Sequence, residues 1–368
     1  MKKIRLFIDA HIFDEPLQGT RTYLKELYLE LIPSNRSVSF IFGAFDTEKL
    51  KREFGEQENV YYVKYISRNK FFRLVFLIPF IIVKYRVDIS HFQYISPLFR
   101  FSKEILTIHD ILFMDFPDLF PYSYRKVNKF LFRRSARRAS YLLTVSDYSK
   151  NKIAEHFRIN KDDIHVITNG VNADYFDPVG ELPDVKSKFN LDKYILYVSR
   201  IEPRKNHLLL LKAFAEAGLW KDGMKLVFIG SKTLRAPLFD SYLHNLPEEI
   251  RNCVIIINES YGNELKSFYR NCSLFVYPSL AEGFGIPPLE ALASGVPVLC
   301  SDSTAMSDFS FLNERQFSPY SVEELKEKII KSLKSETSYV IDAKEIIRKN
   351  YSWRNSAARF SDIIFHDL

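Results

Sequence analysis

Short apolar runs alternate with longer amphipathic segments along nearly the whole chain. Runs that are apolar on both faces are buried as strands only when helices cover both sides of a parallel sheet, so the class expected is α/β. In the first half the strand-like runs are Ile4–Ile8, Ser39–Phe42, Val60–Val63, Ile89–His91, Glu104–Ile108, Tyr141–Val145 and Ile164–Ile167. Helical patterns there cover Thr20–Leu31, Phe71–Lys84, Pro121–Ser140 and Ser146–Phe157. In the second half the strands read Tyr194–Val198, Lys225–Ile229, Val254–Ile257, Leu274–Tyr277 and Val298–Cys300. Between them lie helices at His207–Ala217, Leu234–Asn245, Gly262–Asn271, Pro288–Ser294 and Val322–Leu333. A chain of 368 residues exceeds one ordinary core and fits two domains. Pro178, Gly180 and Pro183 break any period between Gly170 and Asn190, which reads as an interdomain linker. The division expected is residues 1–180, residues 181–345 and a helical tail, 346–368, whose Tyr351, Trp353 and Phe360 bring part of it back to the first domain.

Composition narrows the class. Cys253, Cys272 and Cys300 sit in or beside apolar runs with no C-x-x-C pair, and read as buried thiols in a reducing compartment. The opening MKKIRLFIDA reaches Arg5 and Asp9 before any signal-length apolar stretch, so export is not expected and a cytoplasmic location is. Phe71–Val83, interrupted by Arg73 and Pro79, is shorter than the roughly 20 residues that span a bilayer and reads as a buried helix. The formal charge of +7 is concentrated in the first half, where residues 1–185 hold 28 Lys or Arg against 23 Asp or Glu. Seven of those cations and no acid fall between Pro121 and Ser140, interleaved with Tyr124, Val127, Phe130 and Leu131. That basic amphipathic helix is either a solvated face over a core or a surface for anionic lipid headgroups. Nucleic acid is not expected as a partner, since no aromatic ribonucleoprotein motif or zinc-finger spacing accompanies the charge.

The residues with chemistry gather where strands end. Tyr277 to Val298 reads as a strand, a turn with Gly283 and Gly285, prolines opening a helix, and Gly295 closing it. Free amides at such a helix start attract a diphosphate, while Glu282 before the helix and Glu290 inside it suit hydroxyls at different depths of one ligand. A second loop, Tyr197 to His207, places Arg200 and Lys205 within reach of a diphosphate, Arg as a fork and Lys as a point charge. Two first-half loops also follow strands, one carrying His109 and the other ending at Gly19 before a helix. No Asp-x-Asp occurs, which removes a common carboxylate pair for a divalent cation, and no metal or cofactor is expected.

The chain resembles a family 4 glycosyltransferase of the GT-B fold, especially the retaining bacterial enzymes of O-antigen and capsule assembly. The resemblance is carried by the Gly19 loop, the HDI after Thr107, TVSDYSK at Thr144–Lys150, TNGVN at Thr168–Asn172, YVSRIEPRKN at Tyr197–Asn206 and EGFGIPPLE at Glu282–Glu290. It implies two Rossmann-like domains facing each other across a cleft, with acceptor binding in the first and nucleotide-sugar binding in the second. By the same resemblance His109 meets the reacting sugar, Glu282 the sugar hydroxyls, Glu290 the ribose, and Arg200 and Lys205 the diphosphate. Gly19 lies near the phosphates, and Gly283, Phe284, Gly285 and Ile286 complete the donor site. The reaction implied moves a hexose to a glycan or lipid-linked acceptor, with mannose from GDP-mannose first and UDP-hexoses or dTDP-rhamnose next. An inactive partner subunit is the other functional class. For mechanism, departure and attack on one face and a double displacement through Glu282 both stand. Two motifs depart from the family: Ser307 and Asp308 stand where Pro and Glu are usual, and the double glycine of the first loop is reduced to Gln18-Gly19.

Overall fold

In the computed structural model, which describes residues 3–15, 19–232, 234, 236–335 and 338–365, the apolar runs form two parallel sheets. The chain divides into Met1–Gly170 with Trp353–Leu368, and Val171–Ser352. Gln18 lies outside the described residues, while Gly19 opens the helix Gly19–Ser34.

The first unit holds β1 (Ile4–Asp9), β2 (Val38–Ala44), β3 (Val60–Lys64), β4 (Ile89–Gln93), β5 (Lys103–Thr107), β6 (Tyr141–Thr144) and β7 (Ile164–Val166). Their order is β3-β2-β1-β4-β5-β6-β7. Each residue of β2 and β4 is buried, which is why these runs show no alternation in the sequence. Connections from β1 to β3 run toward one edge and later ones toward the other, so right-handed crossovers put their helices on opposite faces. On one face Leu77, Ile78, Ile81 and Ile82 share a core with Phe132, Ala136, Ile153 and Phe157. On the other, Tyr28 meets Phe40, Phe42 and Phe360, the last from the closing helix Trp353–Phe365.

The second unit holds β8 (Lys193–Val198), β9 (Met224–Ile229), β10 (Val254–Ile257), β11 (Leu274–Tyr277), β12 (Val298–Ser301) and β13 (Gln316–Phe317), in the order β10-β9-β8-β11-β12-β13. Strand β13 has two residues, too few for any period to reveal. In each sheet the strand order reverses once, between β1 and β4 and between β8 and β11. Ligands of open parallel sheets bind beyond the carboxyl ends of the strands at such a reversal.

Four expectations are revised. The segment Gly170–Asn190 is not a featureless linker: Val171 donates to Tyr351 O at 2.8 Å, and the helices Ala173–Phe176 and Val185–Phe189 pack into the second unit. The boundaries accordingly fall at Gly170 and Ser352 rather than at 180 and 345. Cys253 is half-buried, unlike Cys272 and Cys300. The segment read as a buried helix, Phe71–Val83, is buried on one face only; Phe71, Phe72, Phe76, Phe80 and Val83 are exposed. It belongs to a helical run from Lys70 to Lys84 that widens to a π-turn over Arg73–Leu77, where Pro79 has no N–H for the carbonyl of Val75. None of the described helices is long and apolar enough to cross a membrane.

A glycine just past β9 packs against the loop after β8. Gly230 has φ +147° and a Cβ there would lie 2.2 Å from the Ser199 carbonyl oxygen. That closeness lets Ile201 N donate to Ser231 O at 3.0 Å, carrying the strand pairing past Arg200. Gly230→Ala is expected to destabilise by about 2–4 kcal/mol through the forced backbone shift. Denaturant titration of the variant checks this.

Candidate active site

The two loops singled out in the second half meet at the β8/β11 reversal. After β8 the chain makes a single turn, Pro203–Lys205, and Asn206 takes the left-handed conformation that starts the helix His207–Ala217. After β11, Gly285 at φ 100° and ψ 64° turns the chain into the helix Ile286–Ala293. Between these turns lies Glu282, buried, as the hub of a charged cluster. Its Oε1 accepts from Lys205 Nζ at 2.5 Å, Ser279 Oγ at 2.6 Å and Tyr277 OH at 3.0 Å, and its Oε2 accepts from Arg204 Nη1 at 3.1 Å. Burial alone would raise this carboxyl, but Lys205 and Arg204 bring it down to about 2. Burial lowers the Lys205 ammonium, and Glu282 opposes that. The attraction prevails at hydrogen-bond distance, so the pair is ionised.

Arg200 and Lys205 are thus differently employed. Lys205 spends one N–H on Glu282 and approaches Tyr277 OH at 3.4 Å. Arg200 is 48% exposed at its side chain, and its ion pair with Glu202 is loose, at 3.9 Å. Arg204, quoted with its motif but given no role, links both loops: it donates to Ala281 O at 2.5 Å and to Glu202 Oε1 at 2.7 Å besides Glu282. Thr304, in the departing motif after β12, adopts φ 55° and accepts from Glu282 N at 2.8 Å. A β-branched residue there is strained, and strain of this kind gathers at functional sites.

The helix start is a weaker anion site than its spacing promises. Of the four N–H positions that an α-helix leaves open, here Gly285 to Pro288, the last two are Pro287 and Pro288, which carry none. Gly285 and Ile286 are left as the amides of that turn, with Gly283 and Phe284 in the loop before it. Glu290, inside the helix and partly buried, accepts from Tyr269 OH at 2.9 Å. Burial pushes it up to about 7, against the pull of the Tyr269 and Tyr175 hydroxyls. A carboxyl raised above its ordinary 4.5 loses stability for the fold as pH climbs from there to about 7, because the folded chain then holds the extra proton. Glu290→Gln is expected to flatten the pH dependence of unfolding over that window, as denaturant titrations at several pH values would register.

In the first unit His109, after β5, is buried and its Nε2 lies 2.7 Å from Gln93 Oε1. Gln93 Nε2 is 3.1 Å from His91 Nε2, and His91 Nδ1 is 2.7 Å from Tyr28 OH. With Gln93 so placed, His109 carries its proton on Nε2. Burial lowers this imidazole to about 3, so it is uncharged at neutral pH. Tyr23 stands edge-on to its ring at 4.8 Å, and Ser149 Oγ, from the TVSDYSK motif, donates to the His109 carbonyl at 2.9 Å. Gln93, Tyr23 and Ser149 were not among the expected site residues, although Ser149 lay in the TVSDYSK motif and Tyr23 in the Gly19 loop. A cavity of about 630 Å³ opens at the β1/β4 reversal, lined among others by His11, Lys70, Arg73, Gln93, Tyr94 and Tyr124. Beside it, burial would raise Asp9, but His11 at 3.2 Å and Arg73 at 3.5 Å hold it far below the usual carboxylate range. Tyr94 takes φ 63° at this cavity. Among the described residues no three His, Cys, Asp or Glu side chains converge as a metal site requires.

Two family models match the chain in succession: Glycosyltransferase Family 4 over residues 17–175 and Glycosyl transferases group 1 over residues 180–353. The chain belongs to this glycosyltransferase family. Among its relatives, the O-antigen chain mannosyltransferase RfbU of Salmonella typhimurium is 34% identical over 207 residues, 56% of this chain. That match spans 53% of the relative's length, about half. The O-antigen chain mannosyltransferase B of Escherichia coli is 28% identical over 73% of this chain and 72% of its own. Of solved structures, Anabaena Alr3699/HepE in complex with UDP and glucose superposes with TM-score 0.75 over 100% of both chains at 16% identity. The chain thus has the GT-B fold, with the two parallel-sheet Rossmann-like domains expected of it.

Proposed function

We propose that the protein transfers mannose from GDP-mannose, with retention and without a metal ion, to a hydroxyl of a glycan or lipid-linked acceptor in O-antigen or related surface-polysaccharide assembly. One observation carries this reading: at the β8/β11 reversal an exposed Arg200 stands beside an ionised Lys205–Glu282 pair, in a family whose relatives named above are mannosyltransferases. Arg200 and the spare N–H of Lys205 stabilise the departing diphosphate, aided by the amides of Gly283, Phe284, Gly285 and Ile286. Gly19, first residue of its helix, lets a phosphate approach without a side chain in the way. Glu290 receives the ribose hydroxyls. Neutral His109, its Nε2 proton engaged by Gln93, accepts a hydrogen bond through Nδ1 from a hydroxyl of the reacting sugar.

Attack from the face that the diphosphate leaves is favoured over double displacement. Glu282 already accepts four hydrogen bonds, and a nucleophile must shed some of them. Its hold on Lys205 and Arg204 supports an orienting role. The acceptor enters the first-unit cavity, where Tyr94 and Tyr124 offer aromatic walls and Lys70 and Arg73 positive charge. The enzyme works at the inner face of the cytoplasmic membrane, which the basic helix Tyr122–Arg138 contacts.

A thermal-shift screen tests the reading. GDP-mannose should raise the melting temperature more than UDP-hexoses or dTDP-rhamnose, unchanged by chelator, since a ligand bound only by the folded state stabilises it. The UDP in the HepE complex makes a UDP-sugar the second choice. Proton NMR of the product's anomeric position reads retention. A chain that binds no sugar nucleotide, or turns over only with manganese or magnesium, overturns the proposal.

A further inference from the structure

Of the 22 large hydrophobic side chains that stand exposed among the described residues, 13 fall in three short segments of the first unit: 71–85, 98–101 and 122–130. In the first, Phe72, Phe76, Phe80 and Val83 follow one another at helical spacing and form an outward stripe. Phe76, Phe80 and Val83 are each more than half exposed, and Phe71 beside them is 70% exposed. The opposite side of the same turns, Leu77, Ile78, Ile81 and Ile82, fills the core. This helix therefore has two apolar faces and one sheet to cover.

The three segments form one outer layer. The helical run Lys70–Lys84 and the helix Tyr122–Arg138 belong to crossovers on the same face of the sheet, and their core-facing residues share one cluster. Lys70, Arg73 and Leu74 from one and Tyr124, Val127 and Asn128 from the other line the same cavity. The stretch 94–102 returns from the end of β4 to the start of β5 and is tied to the second helix. Ser96 N donates to Ser135 Oγ at 3.0 Å, and Leu98 O accepts from Arg134 at 2.5 Å and Arg138 at 2.9 Å. Those bonds fix the loop that turns Leu98, Phe99 and Phe101 outward.

Charge identifies what covers this layer. Residues 59–87, 89–103 and 119–146 contain no Asp or Glu, but hold six, two and seven Lys or Arg. Lys84 Nζ lies over the Phe80 ring at 5.8 Å, and Lys126 Nζ over the Tyr122 ring at 4.6 Å, so cations and apolar rings share one surface. A second copy of the chain would bring cations against cations, and nucleic acid would leave the phenylalanines in water. An anionic bilayer satisfies both kinds of group, apolar side chains entering the acyl boundary while Lys and Arg stay among the phosphates. Scattered apolar residues need no explanation, but a contiguous rimmed patch does.

We propose that this layer is a bilayer-inserting surface, with the Phe72–Phe76–Phe80–Val83 stripe and the Leu98–Phe101 loop as its insertion elements. This deepens the membrane contact proposed above, which rested on charge alone, and gives it a component that salt does not screen. Vesicle binding is read without donor or acceptor, so its failure and the failure of the transfer reaction are separable.

The chain's two tryptophans, Trp220 and Trp353, lie outside the layer, so Phe80→Trp places a reporter in the stripe. On vesicles of phosphatidylcholine and phosphatidylglycerol the F80W emission is expected to shift to the blue and to be quenched by lipids brominated on the acyl chains. Joint Phe76→Ser and Phe80→Ser replacement should weaken partitioning by about tenfold or more and make the remainder salt-sensitive throughout. Both positions are exposed, so circular dichroism and thermal unfolding should match the parent. Pure phosphatidylcholine should bind more weakly than the mixed vesicles. Absence of quenching, undiminished binding of the double variant, or a dimer in buffer that the same two replacements dissociate would overturn the proposal, the last by making the layer a subunit interface.

Discussion

Replacing Glu282 with Gln is expected to destabilise the second unit by about 3 kcal/mol at neutral pH and to reduce turnover at least a hundredfold. The first figure follows from a carboxyl held at about 2 against its ordinary 4.5, since each unit of depression is about 1.4 kcal/mol favouring the ionised, folded state. It agrees with the usual cost of leaving one partner of a buried pair uncompensated, here Lys205 and Arg204 together. For a depressed carboxyl the stabilisation is complete above pH 4.5 and fades as pH falls toward 2. The difference between parent and E282Q should therefore be constant from neutral pH to about 5 and close on further acidification. Guanidinium titrations across that range measure it, and a constant difference down to pH 2 would show that the ion pair is not its source. Turnover falls in the same variant because Lys205, without its counter-ion, no longer holds one position.

Arg200→Ala should separate from this cleanly: turnover lower by about a hundred- to a thousandfold, with stability within about 0.5 kcal/mol of the parent. The side chain is half exposed and its pairing with Glu202, at 3.9 Å, is worth little to the fold. Under the proposed mechanism its fork is reserved for charge that appears on the departing diphosphate, so the loss falls on kcat more than on donor affinity. Lys in its place restores the charge without the bidentate geometry and should recover only part of the rate. Steady-state kinetics of both variants with saturating donor distinguish these outcomes. An unimpaired R200A enzyme would place the leaving-group contact elsewhere in that loop, with Lys205 as the remaining proposed cation.

The chemistry-bearing loops were legible from sequence because strand, turn and helix start are local signals. The run Leu274–Tyr277, the turn glycines and the prolines after Gly285 locate Glu282 and Glu290 without any knowledge of what they touch. Arg204 went unassigned because its partners, Ala281 and Glu282, lie 77 and 78 residues away. Gln93 was missed for a related reason: nothing near it marks β4 as special until the sheet sets its amide against His109, just past β5. The two prolines of the helix start signalled an anion site by their position while removing two of the amides that would serve it.

What the sequence by itself determined is the fold class, twelve of the thirteen strands among the described residues and the loops on which the candidate site is built, because hydrophobic period and turn chemistry act between near neighbours. What only the tertiary structure decided is which groups in those loops are occupied with one another and which are open. Lys205 and Arg200 read alike in the chain, yet the sheet closes one on Glu282 and leaves the other in solvent. Likewise the Phe71–Val83 segment is apolar all round, so no period distinguishes its core side from its outer side. That choice was made by the sheet, which has room for one face of the helix and not for both.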